Sequence, residues 1–360
     1  MLLIASIASL LLPCSALAPK TMRAAVATGA GKSEGDFSKI KVMDRQVPQP
    51  GHGQVLIRVA ASSVNPVDWK IMSSSVLNVL TLLGPKVMGF DVAGTIEAVG
   101  SGCSRLKIGD EVWADLGKSS ILHPIQLGAW ANYAVADESQ VGLKSAEHNF
   151  TEAASLPLVA LTDYQAFKKA GAPWAGRNNL TVVITSGSGG TGLPAIQLAK
   201  HFGAARIITA SSPSNFQLLK SLGATDVFDY HKTTIWKELE DDSVDFVYDN
   251  YGAAGTADLA MPSLRPGGVF EFLPGKGGNV SKKPKTGVTQ INYGLCDSSK
   301  HEDLDALKAI ADVGHLKAVV KQSFALEDIL GALNASFTGH AVGKIGITMV
   351  QQADVATVLV

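Results

Sequence analysis

Six consecutive residues, Gly187-Ser188-Gly189-Gly190-Thr191-Gly192, carry the clearest chemistry in this chain. Gly187, Gly189 and Gly192 fill a G-x-G-x-x-G spacing. Glycine at these places permits a tight turn, lets backbone N–H groups come up to a pyrophosphate, and lets a helix pack close to the strand before it. The N-terminus of that helix then turns its partial positive charge toward the phosphates. In a chain with 36 glycines the spacing alone says little. Set between a strand and a helix, it predicts a dinucleotide site, with Ser188, Gly190 and Thr191 in the same turn. In NAD sites a carboxylate about 20 residues past the first glycine accepts from the ribose 2′-OH. Here that stretch is Ala210-Ser211-Ser212-Pro213-Ser214-Asn215, which has none. Hydroxyls at Ser211 and Ser212 and the amide of Asn215 can face a 2′-phosphate instead, so NADPH is expected over NADH. Asn250 follows an apolar run, Val244 to Tyr248, and is expected to approach the nicotinamide ribose.

These residues need a frame. Thr181 to Thr185 is a β-branched apolar run and reads as a buried strand. An amphipathic segment follows the glycines and ends near Phe202. Strands are expected at Arg206–Ala210, Asp226–Asp229, Val244–Tyr248 and Gly268–Leu273, with a helix near Ser214–Leu222. Strand and helix alternating on short loops predict a parallel sheet covered on both faces. The chain before Asp137 reads differently. Gln54–Val59, Gly94–Val99 and Gly109–Ala114 are short apolar runs between Gly, Pro, Asp and Ser turns, which suggests a small, partly open barrel. Glu152 to Ala172 has helical period. Asp303–Val313 reads as a helix, Ala318–Gln322 and Lys344–Met349 as strands, and Pro274–Gly287 as a long loop.

Composition bounds the function. The chain has 360 residues, 46% hydrophobic and 18% charged, with a net charge of −1. Nothing basic enough for a nucleic acid partner is present. Cys14, Cys103 and Cys296 are too far apart for a disulfide framework or a C-x-x-C site. Residues 1–18 form a short apolar run ending in small residues, which fits a cleaved signal leading into the secretory route. With cleavage, no stable transmembrane span is expected to remain. Should Met22 be the true start, the cytosol or mitochondrion becomes the expected compartment.

Four segments follow one another at a spacing that resembles the medium-chain dehydrogenase/reductases. They are Val64-Asn65-Pro66-Val67-Asp68-Trp69-Lys70, Gly89-Phe90-Asp91-Val92-Ala93-Gly94, Gly109-Asp110-Glu111-Val112 and the glycine turn. Ala154-Ser155-Leu156-Pro157-Leu158, Leu222-Gly223-Ala224-Thr225-Asp226 and Gly339-His340-Ala341-Val342-Gly343-Lys344 resemble the zinc-free, quinone oxidoreductase-like branch. That branch holds plastid-envelope quinone oxidoreductase homologues, alkenal/enone reductases and mitochondrial reticulon-interacting oxidoreductases. A plastid destination is one the resemblance allows.

The resemblance implies an α/β fold. A GroES-like, partly open β-barrel catalytic domain (22–150) precedes a Rossmann domain with a doubly wound parallel sheet (151–300). A C-terminal return to the catalytic domain (301–350) completes it, and a homodimer is implied. Zinc members carry a first Cys where this chain has Asn65, and a His where it has Phe90, so no zinc is expected. Without a Lewis acid, hydride transfer to an electron-poor carbon is the expected chemistry. The substrate would be a small enal, enone or quinone. Two other readings stay open: an NADPH-binding interaction protein with little turnover, and a trans-2-enoyl thioester reductase.

On the acceptor side the candidates are Asn65, Asp68 and Lys70. Asn65 either donates to a substrate oxygen or ties down its own loop. Asp68 either braces that loop or takes part directly. Lys70 either stabilises an enolate or faces solvent. NADPH-dependent relatives carry a cation near Asn215 and a tyrosine near Tyr230. The tyrosine is kept, and His231, Lys232 or Lys220 is expected to replace the cation. Trp69, Met72, Leu77, Trp113 and Leu127 are candidate walls of an apolar pocket, and Tyr251 is either a pocket wall or a surface aromatic.

Overall fold

The computed structural model describes residues 19–117, 128–174, 176–177 and 179–349. The signal-like segment and Leu127 lie outside the described residues.

The first half folds into strands where short apolar runs are cut by turn residues. These are β1 (Thr21–Ala27), β2 (Ile40–Gln46) and β3 (Gln54–Val64), then, after α1 (Pro66–Met72) and α2 (Ser75–Leu80), β4 (Lys86–Val87), β5 (Asp91–Val99), β6 (Glu111–Asp115), β7 (Tyr133–Asp137) and β8 (Val141–Leu143). β2, β1 and β4 form a small antiparallel sheet. β3 is long enough, at 11 residues, to pair with both β5 and β7.

The second half alternates helix and strand. α3 (Phe150–Ala153) and α4 (Pro157–Lys169) lead to β9 (Thr181–Ile184), α5 (Gly192–His201), β10 (Arg206–Ser211), α6 (Phe216–Leu222), β11 (Asp226–Asp229) and β12 (Val244–Asp249). α7 (Thr256–Ala260), β13 (Leu264–Phe272) and β14 (Thr289–Asn292) follow. Six strands pair in the order β11-β10-β9-β12-β13-β14, and every pairing is parallel. In chain order this is 3-2-1-4-5-6, the doubly wound arrangement whose ligand crevice opens at the carboxyl ends of the strands on either side of strand 1. The fold is therefore α/β, a GroES-like domain joined to a Rossmann-type sheet.

The chain then returns. α8 (His301–Asp312), β15 (Val320–Ala325), α9 (Ile329–Phe337) and β16 (Lys344–Thr348) complete it. β16 pairs antiparallel with β3, placing Ile345 opposite Val64, so the end of the chain lies beside the loop that follows β3.

Two details differ from the sequence expectation. The segment from Glu152 to Ala172 is two helices rather than one. Pro157, with no N–H to donate, takes the first position of α4 and forces a break before it. β14 had no sequence signal, because Thr-Gln-Ile-Asn is short and mostly polar. Among the described residues, no helix is long and apolar enough to cross a membrane.

Three of the proposed pocket walls turn out to be core, and Trp69 is half-buried. Met72, Leu77 and Trp113 are 4%, 0% and 0% exposed. Met72 and Leu77 fill the barrel interior, whereas Trp113 packs with the helices of the second half. Trp69 stands edge-on to Phe337 at 5.3 Å and donates its ring N–H to Ser336. Large apolar side chains in a small barrel are needed first for packing, and these four are used that way.

Candidate cofactor and catalytic site

β9 is buried along its whole length and ends in the crevice. The chain then turns through Ser186 and the glycines into α5. The turn needs glycine for closeness rather than for unusual dihedrals. A Cβ on Gly192 would lie 1.8 Å from the Ser186 carbonyl oxygen, and one on Gly187 2.3 Å from Thr209 Oγ1. Gly189 is looser: a Cβ there would meet only the Ser186 hydroxyl, at 3.1 Å. A cradle that a Cβ would fill, at the N-terminus of a helix with no acidic residue in its first turn, fits a pyrophosphate.

Asn250 does not reach outward for a ribose. Its Oδ1 accepts from the Ser186 N–H (2.9 Å) and Thr185 Oγ1 (3.1 Å). Its Nδ2 donates to the Ser186 carbonyl (3.1 Å) and Thr191 Oγ1 (3.0 Å). Both amide hydrogens and one lone pair are spent on the glycine turn, and the Thr185 hydroxyl divides its one hydrogen between Asn250 and Asp249 Oδ1, 2.8 Å away. Asn250 clamps that turn from the end of β12.

Ser188, Ser211 and Asn215 form one row: Ser211 Oγ donates to Ser188 Oγ (3.0 Å), and Asn215 Nδ2 donates to Ser211 Oγ (3.1 Å). Ser212 and Tyr230 share a hydrogen bond of 2.9 Å. The expected substitutes for the missing cation are not drawn in. Lys220 and Lys232 are exposed, and His231 Nδ1 is paired with Asp229 at 2.8 Å. Cations instead come from the far end of the chain. A cavity of about 220 Å³ is lined by Asn215, Lys321, Gln322, His340 and Lys344, among others.

The acceptor-side loop begins where β3 ends. Asn65 precedes α1, Pro66 takes its first position, and the Asn65 N–H donates to Asp68 Oδ2 at 2.7 Å. Asn65 Nδ2 donates to Asp91 Oδ2 (2.7 Å), and its Oδ1 accepts from Lys344 Nζ (2.8 Å). Lys344 Nζ also donates to the Val64 carbonyl (2.7 Å) and stands 3.6 Å from Asp91 Oδ2. Asp91 further accepts from Ser63 Oγ (2.6 Å) and from the Leu158 N–H (2.8 Å), one of the unpaired first-turn donors of α4. Asn65, Asp68 and Asp91 are 0% exposed, and Lys344 is 6%. Lys70 stays half-buried, its ammonium 5.7 Å from the centre of the Trp69 ring.

One ammonium faces two buried carboxyls here, Asp91 and Asp68, and a third, Asp115, lies near Asp91. Burial, and then the neighbouring Asp91, push Asp68 up to about 8. The same causes push Asp115 up to about 7, while Cys296 donates its thiol to Asp115 at 3.4 Å. Burial also lowers Lys344, which Asp91 and Asp68 partly hold up. The ion pair is that of Lys344 with Asp91, and burial pushes Asp68 toward its protonated form.

The structure brings together Asn65, Asp68 and the residues of the glycine turn, with Lys344 and Asp91 between them. The family resemblance implies that the turn holding His340 and Lys344 packs near the site, but that Lys344 and Asp91 meet at Asn65 depends on β16 pairing with β3. Among the described residues, no group of three or more His, Cys, Asp or Glu is placed to hold a metal ion.

Known proteins match along most of the chain. Residues 51–145 match the family pattern of the alcohol dehydrogenase GroES-like domain, and residues 190–290 that of the zinc-binding dehydrogenases. A 2-methylene-furan-3-one reductase of Solanum lycopersicum is 34% identical over 87% of this chain and 77% of its own. A chloroplastic NADPH-dependent alkenal/one oxidoreductase of Arabidopsis thaliana is 32% identical over 91% of this chain and 79% of its own. The solved structure of the quinone oxidoreductase from Coxiella burnetii superposes with a TM-score of 0.77 at 27% identity, covering 92% of this chain and 100% of that one.

Proposed function

Because the chain belongs to the medium-chain dehydrogenase/reductases, in their quinone oxidoreductase-like branch, and so is an NAD(P)H-dependent oxidoreductase, we propose that it uses NADPH to reduce the C=C bond of α,β-unsaturated carbonyls, or a quinone, without zinc. The reduced dinucleotide supplies a hydride, and water supplies the proton that completes the reduction.

The observation that carries the reading is how Asn65 is held. Lys344 fixes its Oδ1 and Asp91 takes one Nδ2 hydrogen, leaving the other uncommitted among the described residues. An oriented amide N–H suits an acceptor oxygen on which negative charge develops. Asp68 holds the loop by accepting from the Asn65 N–H. Zinc fits these residues poorly. The Lys344 ammonium already sits among the oxygens that could ligate it, and an amide and carboxyls replace the Cys and His ligands of a tetrahedral site. The names of the tomato and Arabidopsis relatives, a furanone with an exocyclic methylene and alkenals, point to electron-poor double bonds.

NADPH is favoured over NADH because the stretch after β10 has no carboxylate and the cavity beside Asn215 gathers Lys321 and His340, of which the lysine replaces the missing cation. Purified protein should oxidise NADPH with short enals, long-chain enones or 1,2-quinones. Lys321→Gln with His340→Gln should raise the KM for NADPH about 10-fold and move that for NADH less than about twofold. A preference for NADH untouched by the pair would overturn the cofactor assignment. Tight NADPH binding with no turnover on any acceptor class would favour a binding role instead.

A homodimer and a plastid destination belong to the same reading. Among the described residues β14 leaves an unpaired edge on the six-stranded sheet, and the Arabidopsis relative is chloroplastic. Native mass spectrometry of the protein purified from its source should show two chains, each beginning beyond Ala16. A single chain, or one retaining Met1, would refute the corresponding part.

A further inference from the structure

We propose that Lys344 is a positioning residue that ties the glycine turn to Asn65, so that the acceptor-side loop responds to dinucleotide on the other domain. The inference rests on the NADPH reading above.

Its backbone belongs to the cofactor side. The Gly343 N–H donates to the Ser188 carbonyl at 2.9 Å, and the Lys344 stem lies against Gly190, 3.1 Å from where a Cβ would stand. Gly343 is fixed in the left-handed region at φ 70°, and a Cβ there would press 2.2 Å from the Val319 carbonyl. No other residue type holds that bend easily. The head group belongs to the acceptor side, where it binds the Val64 carbonyl and Asn65 Oδ1 beside Asp91. A lysine normally keeps its head in water. Burying this one yields no apolar gain that its methylenes alone would not. What the ammonium adds is orientation: it accepts nothing, so the amide must turn its oxygen toward Lys344 and its nitrogen toward Asp91. Asp91 is also bonded to the first turn of α4, whose Val159 lies 3.7 Å from that same Gly190 position. Two paths, one through Lys344 and one through Asp91 and α4, thus join the turn to Asn65. A shift of the turn on binding pyrophosphate moves the strand that carries the lysine.

Lys344→Met and Asn65→Ala are each expected to lower kcat about 10-fold or more, and the double variant no more than about twofold below the weaker single. If the two losses multiply, Lys344 does not act through Asn65 and the proposal fails. Hydrogen exchange supplies a readout independent of turnover. Saturating NADPH should slow exchange across Asn65–Met72 about fivefold in the parent and less than about twofold in Lys344→Met. Equal slowing in both proteins overturns the coupling. Lys344→Gln, which keeps a donor without the charge, replaces Lys344→Met should the latter not fold. It should restore part of kcat and of the protection, and failure to restore either also counts against the proposal. A parent that binds NADPH yet reduces no acceptor refutes the enone reading while leaving the exchange experiment decisive.

Discussion

Gly192→Ala is expected to melt about 3 °C below the parent, whereas Gly189→Ala melts within about 1 °C of it and still loses about 10-fold or more in NADPH affinity. The two glycines sit in one motif for different reasons. At Gly192 the obstacle is the protein itself: a Cβ would be 1.8 Å from the Ser186 carbonyl and 2.6 Å from that of Gly187. Both obstacles are backbone, held in place by the Asn250 clamp, so the turn and α5 must part. Overpacking of that kind costs about 3 kcal/mol, more than the roughly 1 kcal/mol alanine gains over glycine in a helix. At Gly189 the methyl meets only the movable Ser186 hydroxyl at 3.1 Å. Its cost arises when phosphate comes up to the backbone, so affinity falls and stability does not. Thermal melting and NADPH titration of the two variants separate these cases. Equal melting temperatures for both would mean that the turn relaxes around Gly192. Unchanged affinity in Gly189→Ala would place the pyrophosphate elsewhere.

What the sequence made legible was what lies close along the chain. The glycine turn, its strand and its helix are contiguous, and each residue type there has one physical use. The Asn65 environment is different, since the Lys344 that fixes it is 279 positions away. The alternating Lys-Ile-Gly-Ile-Thr of β16 does not say which face is buried, and a lysine is a poor guess for a buried position. The same limit hid the lysine facing Asn215, Lys321, which comes from β15. Asn250 was legible as a polar group at the end of a strand, but residue type cannot tell an amide that faces a ligand from one that holds a loop. Its hydrogen bonds to the Ser186 backbone and to Thr191 hold the loop. Trp113, Met72 and Leu77 were ambiguous for the reason that lining a pocket and filling a core require the same side chains.

The other large effect lies away from the site, at Glu271. Its carboxyl is 0% exposed, neither oxygen has a hydrogen-bond partner, and it sits on β13 in register with Tyr248 on β12. The Tyr248 hydroxyl is turned away from it to Asp163, at 2.8 Å. Burial therefore pushes Glu271 up to about 8, with Lys169 only partly opposing. In the unfolded chain the same carboxyl titrates near 4.5. Between those values the folded protein holds the extra proton, so raising the pH favours the unfolded chain. The penalty grows by about 1.4 kcal/mol per pH unit, to roughly 4 kcal/mol by pH 8, and is constant above it. Glutamine has nearly the shape of the protonated acid and cannot lose its proton. Glu271→Gln should therefore melt within about 2 °C of the parent at pH 5 and about 6 °C or more above it at pH 8. Some decline with pH should persist in the variant, because Asp68 and Asp115 are raised in the same sense by their own burial. Melting curves for the two proteins that stay parallel from pH 5 to 8 would show that Glu271 is solvated or paired in solution, and that this part of the core does not carry the acid proton assigned to it.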